Sequence, residues 1–167
     1  MLELRSDFGF EELVAVEYTT DRQNRLNLND GLAIALGASF LPLAEGRLAT
    51  RIVAGFKIDM LRASNGDALY TAVPVDLMEV AYVGPMRLGA GASVLLAPRI
   101  RGDGFLDDAG IRFDTAPGAA LEAEWIVAPR SRTGIGVRAS WYRFSWNGVS
   151  RGAPAIGLVM RADMPIG

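Results

Sequence analysis

The chain has 167 residues, 50% hydrophobic and 22% charged, with 19 glycines and neither cysteine nor histidine. Those absences exclude disulfides, thiolate chemistry, His-ligated zinc and the serine–histidine–aspartate arrangement of common hydrolases. Sixteen arginines and the single Lys57 against nineteen acids leave a net charge of −2, too little to draw nucleic acid by its field.

The length suits one domain over residues 1–167, and the glycines favour strands and turns over helices. Met1 to Asp7 has neither the charged start nor the apolar run of an export signal. The expectation is a mature chain with Met1 in place of a removed leader. No apolar run reaches transmembrane-helix length, so any membrane crossing must use strands.

The first predicted strand is irregular: Phe10, Val14, Val16 and Tyr18 face one way, and Glu11, Leu13, Ala15 and Glu17 the other. After the polar connection RQNRLNLND, Gly31 to Pro42 sets Leu32, Ile34, Leu36, Ala38 and Phe40 against Ala33, Ala35, Gly37 and Ser39. Beyond LAEG, Arg47 to Met60 alternates Leu48, Thr50, Ile52, Ala54, Phe56, Ile58 and Met60 with Arg47, Ala49, Arg51, Val53, Gly55, Lys57 and Asp59. Every charge lies on the second face.

RASNGD leads to Ala68 to Val83, where Leu69, Thr71, Val73, Val75 and Leu77 share a face. The phase then shifts near Met78, and a bulge there would return Val80 and Tyr82 to the apolar side. After Gly84-Pro85, Met86, Leu88, Ala90, Ala92, Val94, Leu96 and Ile100 oppose Arg87, Gly89, Gly91, Ser93, Arg99 and Arg101.

Following GDGFLDDAG, Ile111, Phe113, Thr115, Ala119, Leu121, Ala123 and Trp125 oppose Arg112, Asp114, Glu122 and Glu124, with an irregularity at Pro117-Gly118. Past APRSR, Ile135, Val137, Ala139 and Trp141 oppose Gly136, Arg138, Ser140 and Tyr142. The last strand, from Ala155, sets Ile156, Leu158, Met160 and Ala162 against Gly157, Val159, Arg161 and Asp163.

Eight alternating strands predict an all-β fold: an antiparallel up-and-down transmembrane barrel. Short connections (LAEG, GP, APRSR) alternate with longer ones (RQNRLNLND, RASNGD, GDGFLDDAG and Asn147 to Pro154), as short periplasmic turns and longer extracellular loops do in outer-membrane barrels. That places both termini on the periplasmic side. Phe10, Phe40, Tyr82 and Trp125 are expected as membrane-interface aromatics at the periplasmic end, and Tyr18, Phe113, Trp141 and Trp146 at the extracellular end.

The charged face should turn inward. An eight-stranded barrel is just wide enough for side chains to fill, so Arg51, Lys57, Asp59, Asp76, Glu79, Arg87, Arg99, Glu122, Glu124, Arg138 and Arg161 are expected to form an interior polar network. Glu17, Arg101, Arg112, Asp114 and Asp163 are assigned to the same face.

This pattern resembles the small outer-membrane barrels of the OmpA/OmpX kind over nearly the whole chain. GFKIDMLRASNGD, VPVDLMEVAYVGPMRLGAGASVLLAPRI and IRFDTAPGAALEAEW resemble a group of proteobacterial outer-membrane barrel proteins of uncharacterised function. The resemblance implies a bacterial outer-membrane location. It implies outer-membrane lipid and lipopolysaccharide as surroundings, contact with the barrel-assembly machinery during insertion, and a monomer. The end, ADMPIG, departs from the aromatic finish of such barrels.

A structural or surface-interaction role without enzymatic activity or cofactor is the first reading. A soluble lipocalin-like carrier would show the same alternation with inside and outside exchanged. A lipid-modifying enzyme would need an acyl-transfer site, for which Ser140, Tyr142 and Glu124 are the available groups. Asp103, Asp107 and Asp108 could offer oxygen ligands to calcium, but their spacing fits no calcium loop.

Overall fold

The computed structural model describes residues 1–17, 23–40, 47–63, 66–102, 110–128 and 132–163, and all of its regular structure is strand. Eleven segments build the wall: β1 (Leu2–Gly9), β2 (Glu11–Glu17), β3 (Gln23–Leu28), β4 (Gly31–Phe40), β5 (Leu48–Ala63), β6 (Gly66–Val83), β7 (Met86–Gly102), β8 (Ile111–Arg112), β9 (Ala116–Ala128), β10 (Thr133–Trp146) and β11 (Val149–Ala162). Three staves are interrupted, β1 with β2, β3 with β4 and β8 with β9, so the eleven segments form eight antiparallel staves.

Closure is made by the first and last staves. Leu2 to Gly9 pair with Ala162 to Ala155, while β1 also pairs with β4 and β6 with β7. No backbone edge is left open along the barrel's middle, which is the condition for a sheet to exist in hydrocarbon.

The first stave starts earlier than the predicted Phe10. Leu2, Leu4, Ser6 and Phe8 face outward, and Glu3, Arg5 and Asp7 are buried. This two-residue alternation is as regular as any later one; it was masked by its place at the chain's start. Tyr18 lies outside the described residues, as do the side chain of Glu17 and Asp103, Asp107 and Asp108.

Three connections expected to be long contain strand. Gln23–Leu28 pairs with Glu11–Glu17, Ala63 pairs with Gly66, and Trp146 pairs with Val149 around Asn147-Gly148. Asn147 and Gly148 have φ of 48° and 77°, the two positive values that suit the twist of a two-residue hairpin. The staves thus run on as ribbons where loops were expected, and the short–long alternation weakens accordingly.

The irregularity expected near Met78 lies elsewhere. Ladders on both sides of β6 run unbroken from Val75 to Ala81; the β6–β7 register slips between Thr71 and Val73, opposite Ala97, whose φ is 46°. Val80 and Tyr82 therefore face inward with Met78. Around Pro117-Gly118 the β7–β9 register is continuous, and the interruption falls at residues 113–115.

One slipped residue exchanges a strand's two faces. Beyond Ala97, Ile100 turns inward and is 3% exposed, while Arg101 turns outward. Across the ladder, Phe113 enters the interior and Arg112 and Asp114 leave it.

Candidate functional site: the barrel interior and its outer face

The barrel's polarity is that of a membrane solvent. Leu36, Leu121, Leu158, Ile156 and Val137 are 52–65% exposed, whereas Arg161, Arg87 and Glu124 inside are 1–2% exposed. A soluble carrier has the reverse arrangement, with the apolar face lining its cavity.

Six cations and six anions meet inside: Arg5, Arg51, Lys57, Arg87, Arg138 and Arg161 with Glu3, Asp7, Asp76, Glu122, Glu124 and Asp163. Glu122 is the hub. It accepts from Arg51, from Arg138 Nη1 at 2.5 Å and from Arg161 Nη2 at 2.9 Å. Arg161 also reaches Glu3 and Glu124, and Arg87 links Glu124 at 3.0 Å to Asp163 at 2.8 Å. Higher up, Asp76 joins Arg5 at 2.6 Å to Arg138 at 2.9 Å and accepts from Ser93, whose hydroxyl meets that of Tyr142 at 2.6 Å.

Small residues make this crowding possible. A Cβ at Gly134 would strike the Arg87 guanidinium. The lone lysine has its own geometry: Lys57 Nζ donates to Asp7 Oδ2 at 2.7 Å, to the Asn29 carbonyl at 2.7 Å and to Asn29 Oδ1 at 2.9 Å. Three acceptors match the three donors of a compact ammonium, a task unsuited to a planar guanidinium. Asn29, at φ 70°, sits at the break between β3 and β4.

Above the charges the interior becomes apolar. Leu28, Tyr70, Leu95, Ile100, Phe113 and Phe144 form one buried cluster, with Trp146 against it. Phe113 meets Phe144 and Trp146 edge to face at centroid distances of 5.4 and 5.3 Å.

Of the residues expected in the network, Arg51, Lys57, Asp76, Arg87, Glu122, Glu124, Arg138 and Arg161 lie together inside. Three do not join them. Glu79 faces outward and accepts from Thr50 Oγ1 at 2.8 Å. Arg99 lies on the outer face past the Ala97 slip, with Nε on Thr71 Oγ1 at 3.1 Å. Asp59 is half-buried above the network and accepts its neighbour Met60's N–H. Glu3, Arg5, Asp7 and Asn29 were missed because the first stave and the head of the second were read as non-strand.

The expected aromatic belts change in the same way. Phe40, Trp125 and Trp141 face outward at 47–55% exposure. Phe10 is also exposed, but its N–H donates to the Pro154 carbonyl and Pro154 pairs with Trp141, so it stands at Trp141's level and not at the termini's end. Tyr82, Phe113 and Trp146 are inward or packed against interior clusters.

The groups considered for acyl transfer are separately engaged. Ser140 accepts from Asn29, Tyr142 meets Ser93, and Glu124 pairs with Arg51, Arg87 and Arg161. Among the described residues no group of three or more acidic, histidine or cysteine side chains could hold a metal.

No protein-family model matches the chain, and no curated protein matches it by sequence. Solved structures do. Neisserial surface protein A is similar at a TM-score of 0.56 and 11% identity, over 98% of this chain and 97% of that one. The attachment invasion locus protein Ail of Yersinia pestis, at 12% identity, is similar at a TM-score of 0.46 over 95% of this chain and 94% of that one. The shared feature is the fold: a closed, eight-staved antiparallel barrel of the small outer-membrane kind.

Proposed function

We propose that this chain resides in a bacterial outer membrane as a non-enzymatic barrel, acting structurally and through the ribbons that rise above the membrane. The observation carrying this reading is the combination of an apolar outer belt with an interior whose charges pair with one another. Such an interior anchors a wall: among the described residues Ser140, Tyr142 and Glu124 are engaged with separate partners, and Leu95, Phe113 and Phe144 pack as an apolar cluster beyond the charges. Lipid would surround the belt, the assembly machinery would insert it, and one copy closes the barrel by itself.

Both termini are assigned to the periplasmic side, with the Gly84-Pro85 turn, and the Asn147-Gly148 turn to the cell surface. The chain has no cysteine, so single introduced thiols report sidedness cleanly. In intact cells, Ser150→Cys should react with a membrane-impermeant maleimide and Pro85→Cys should react only after the outer membrane is breached. The opposite labelling would reverse the orientation, and labelling of neither with the protein in the soluble fraction would refute the membrane placement.

A further inference from the structure

Inside the barrel every arginine has a carboxylate partner, yet on the outer face above the apolar belt four do not. Arg101, Arg112 and Arg143 are exposed and Arg99 is half-buried against Thr71. None of the four makes an ion pair among the described residues, whereas Arg151 on the same rim pairs with Glu11 at 2.9 Å. Arg99 and Arg112 are directly opposite in the β7–β8 ladder. Like charges so placed oppose strand pairing, a cost that an anion bridging them would reverse.

Their height is equally specific. Arg143 follows the outward Trp141 by two residues, and Arg99 follows the outward Leu96 just past the Ala97 slip. At about 3.3 Å per residue, both guanidinium-bearing positions sit one step beyond the apolar surface, where headgroups begin. Among the described residues two acids, Asp67 and Asp114, share this outer face, so the four arginines outnumber them. Among the described residues the opposite rim carries two arginines, Arg47 and Arg132.

We infer that Arg99, Arg101, Arg112 and Arg143 form a binding surface for the phosphate groups of a phosphorylated glycolipid in the surrounding leaflet. This rests on the membrane reading above. Guanidinium forks match phosphate oxygens bidentately, and basic side chains are drawn to an anionic leaflet surface. The patch would fix the barrel's depth and surround it with an ordered ring of lipid on the β7 to β10 side.

The test uses the full chain refolded in neutral-detergent micelles and titrated with diphosphorylated lipid A or its dephosphorylated form, read by tryptophan fluorescence. The phosphorylated lipid should bind about tenfold more tightly or better, with the preference falling as salt rises. The quadruple variant Arg99→Gln/Arg101→Gln/Arg112→Gln/Arg143→Gln should lose that preference, and Arg47→Gln/Arg132→Gln should keep it. Heat-modifiable gel migration verifies that each variant folds; if the quadruple does not, the pairs Arg99→Gln/Arg112→Gln and Arg101→Gln/Arg143→Gln are compared. Equal binding of both lipids, or a preference retained by the variants, would overturn the inference while leaving the membrane barrel intact. Displacement of lipid A by millimolar inorganic phosphate would overturn the lipid assignment in favour of a free-anion site. Folding without detergent would instead remove the reading beneath it.

Discussion

Glu122→Leu is expected to destabilise the barrel by about 3–5 kcal/mol, measured as a shift in urea unfolding in detergent or liposomes. The reason is the hub's position. Its carboxylate accepts from three guanidinium groups, and removing it leaves Arg51 with a carboxylate at 3.5 Å, Glu124, and the weak acceptor Met78 Sδ at 3.3 Å. Arg138 and Arg161 keep other partners but lose the charge between them. Buried ion pairs are weak evidence of stability when compared with an apolar core, but breaking one leaves an uncompensated charge in a low-dielectric interior. Glu79→Gln is the matched control: that carboxylate faces outward beside Thr50, and because its removal strands no interior cation it should not destabilise the barrel. Equal effects from the two substitutions would contradict the assignment of inside and outside.

Val137→Arg addresses the outer face and should cost about 2–4 kcal/mol in a bilayer. Val137 is 52% exposed and lies in β10 between Ile135, which pairs with Trp125, and Trp141. In water, an arginine at such an open position would be near neutral, within about 0.5 kcal/mol. In hydrocarbon it is not, because the charge can neither be hydrated nor reach a partner without distorting the lipid. Unfolding in liposomes checks the value. A neutral outcome would mean that this surface meets water.

The parts of the fold legible in the sequence are those where charge and apolarity alternate without a slip. From Leu48 to Asp59, and from Ala119 to Trp125, the alternation separates Arg51, Lys57, Glu122 and Glu124 from the residues that face out. Eight staves, closure and most of the interior network follow from that period of two. The failures have local causes. Ala97 at positive φ shifts parity, which exchanged the faces of Arg99, Ile100 and Phe113. Polar residues in RQNRLNLND resembled a loop because a ribbon beyond the membrane no longer needs an apolar face. The apolar plug of Leu95, Phe113 and Phe144 was hidden for a related reason: hydrophobicity alone cannot say whether a residue meets lipid or the barrel axis.

The central claim is that hydrocarbon, not water, is the solvent of the outer face, and the most direct measurement is folding with and without detergent. The purified chain should give a β-type circular dichroism spectrum and heat-modifiable gel migration in detergent or lipid, and should fail to fold in plain buffer. A stable, monodisperse β protein in buffer alone would contradict the account.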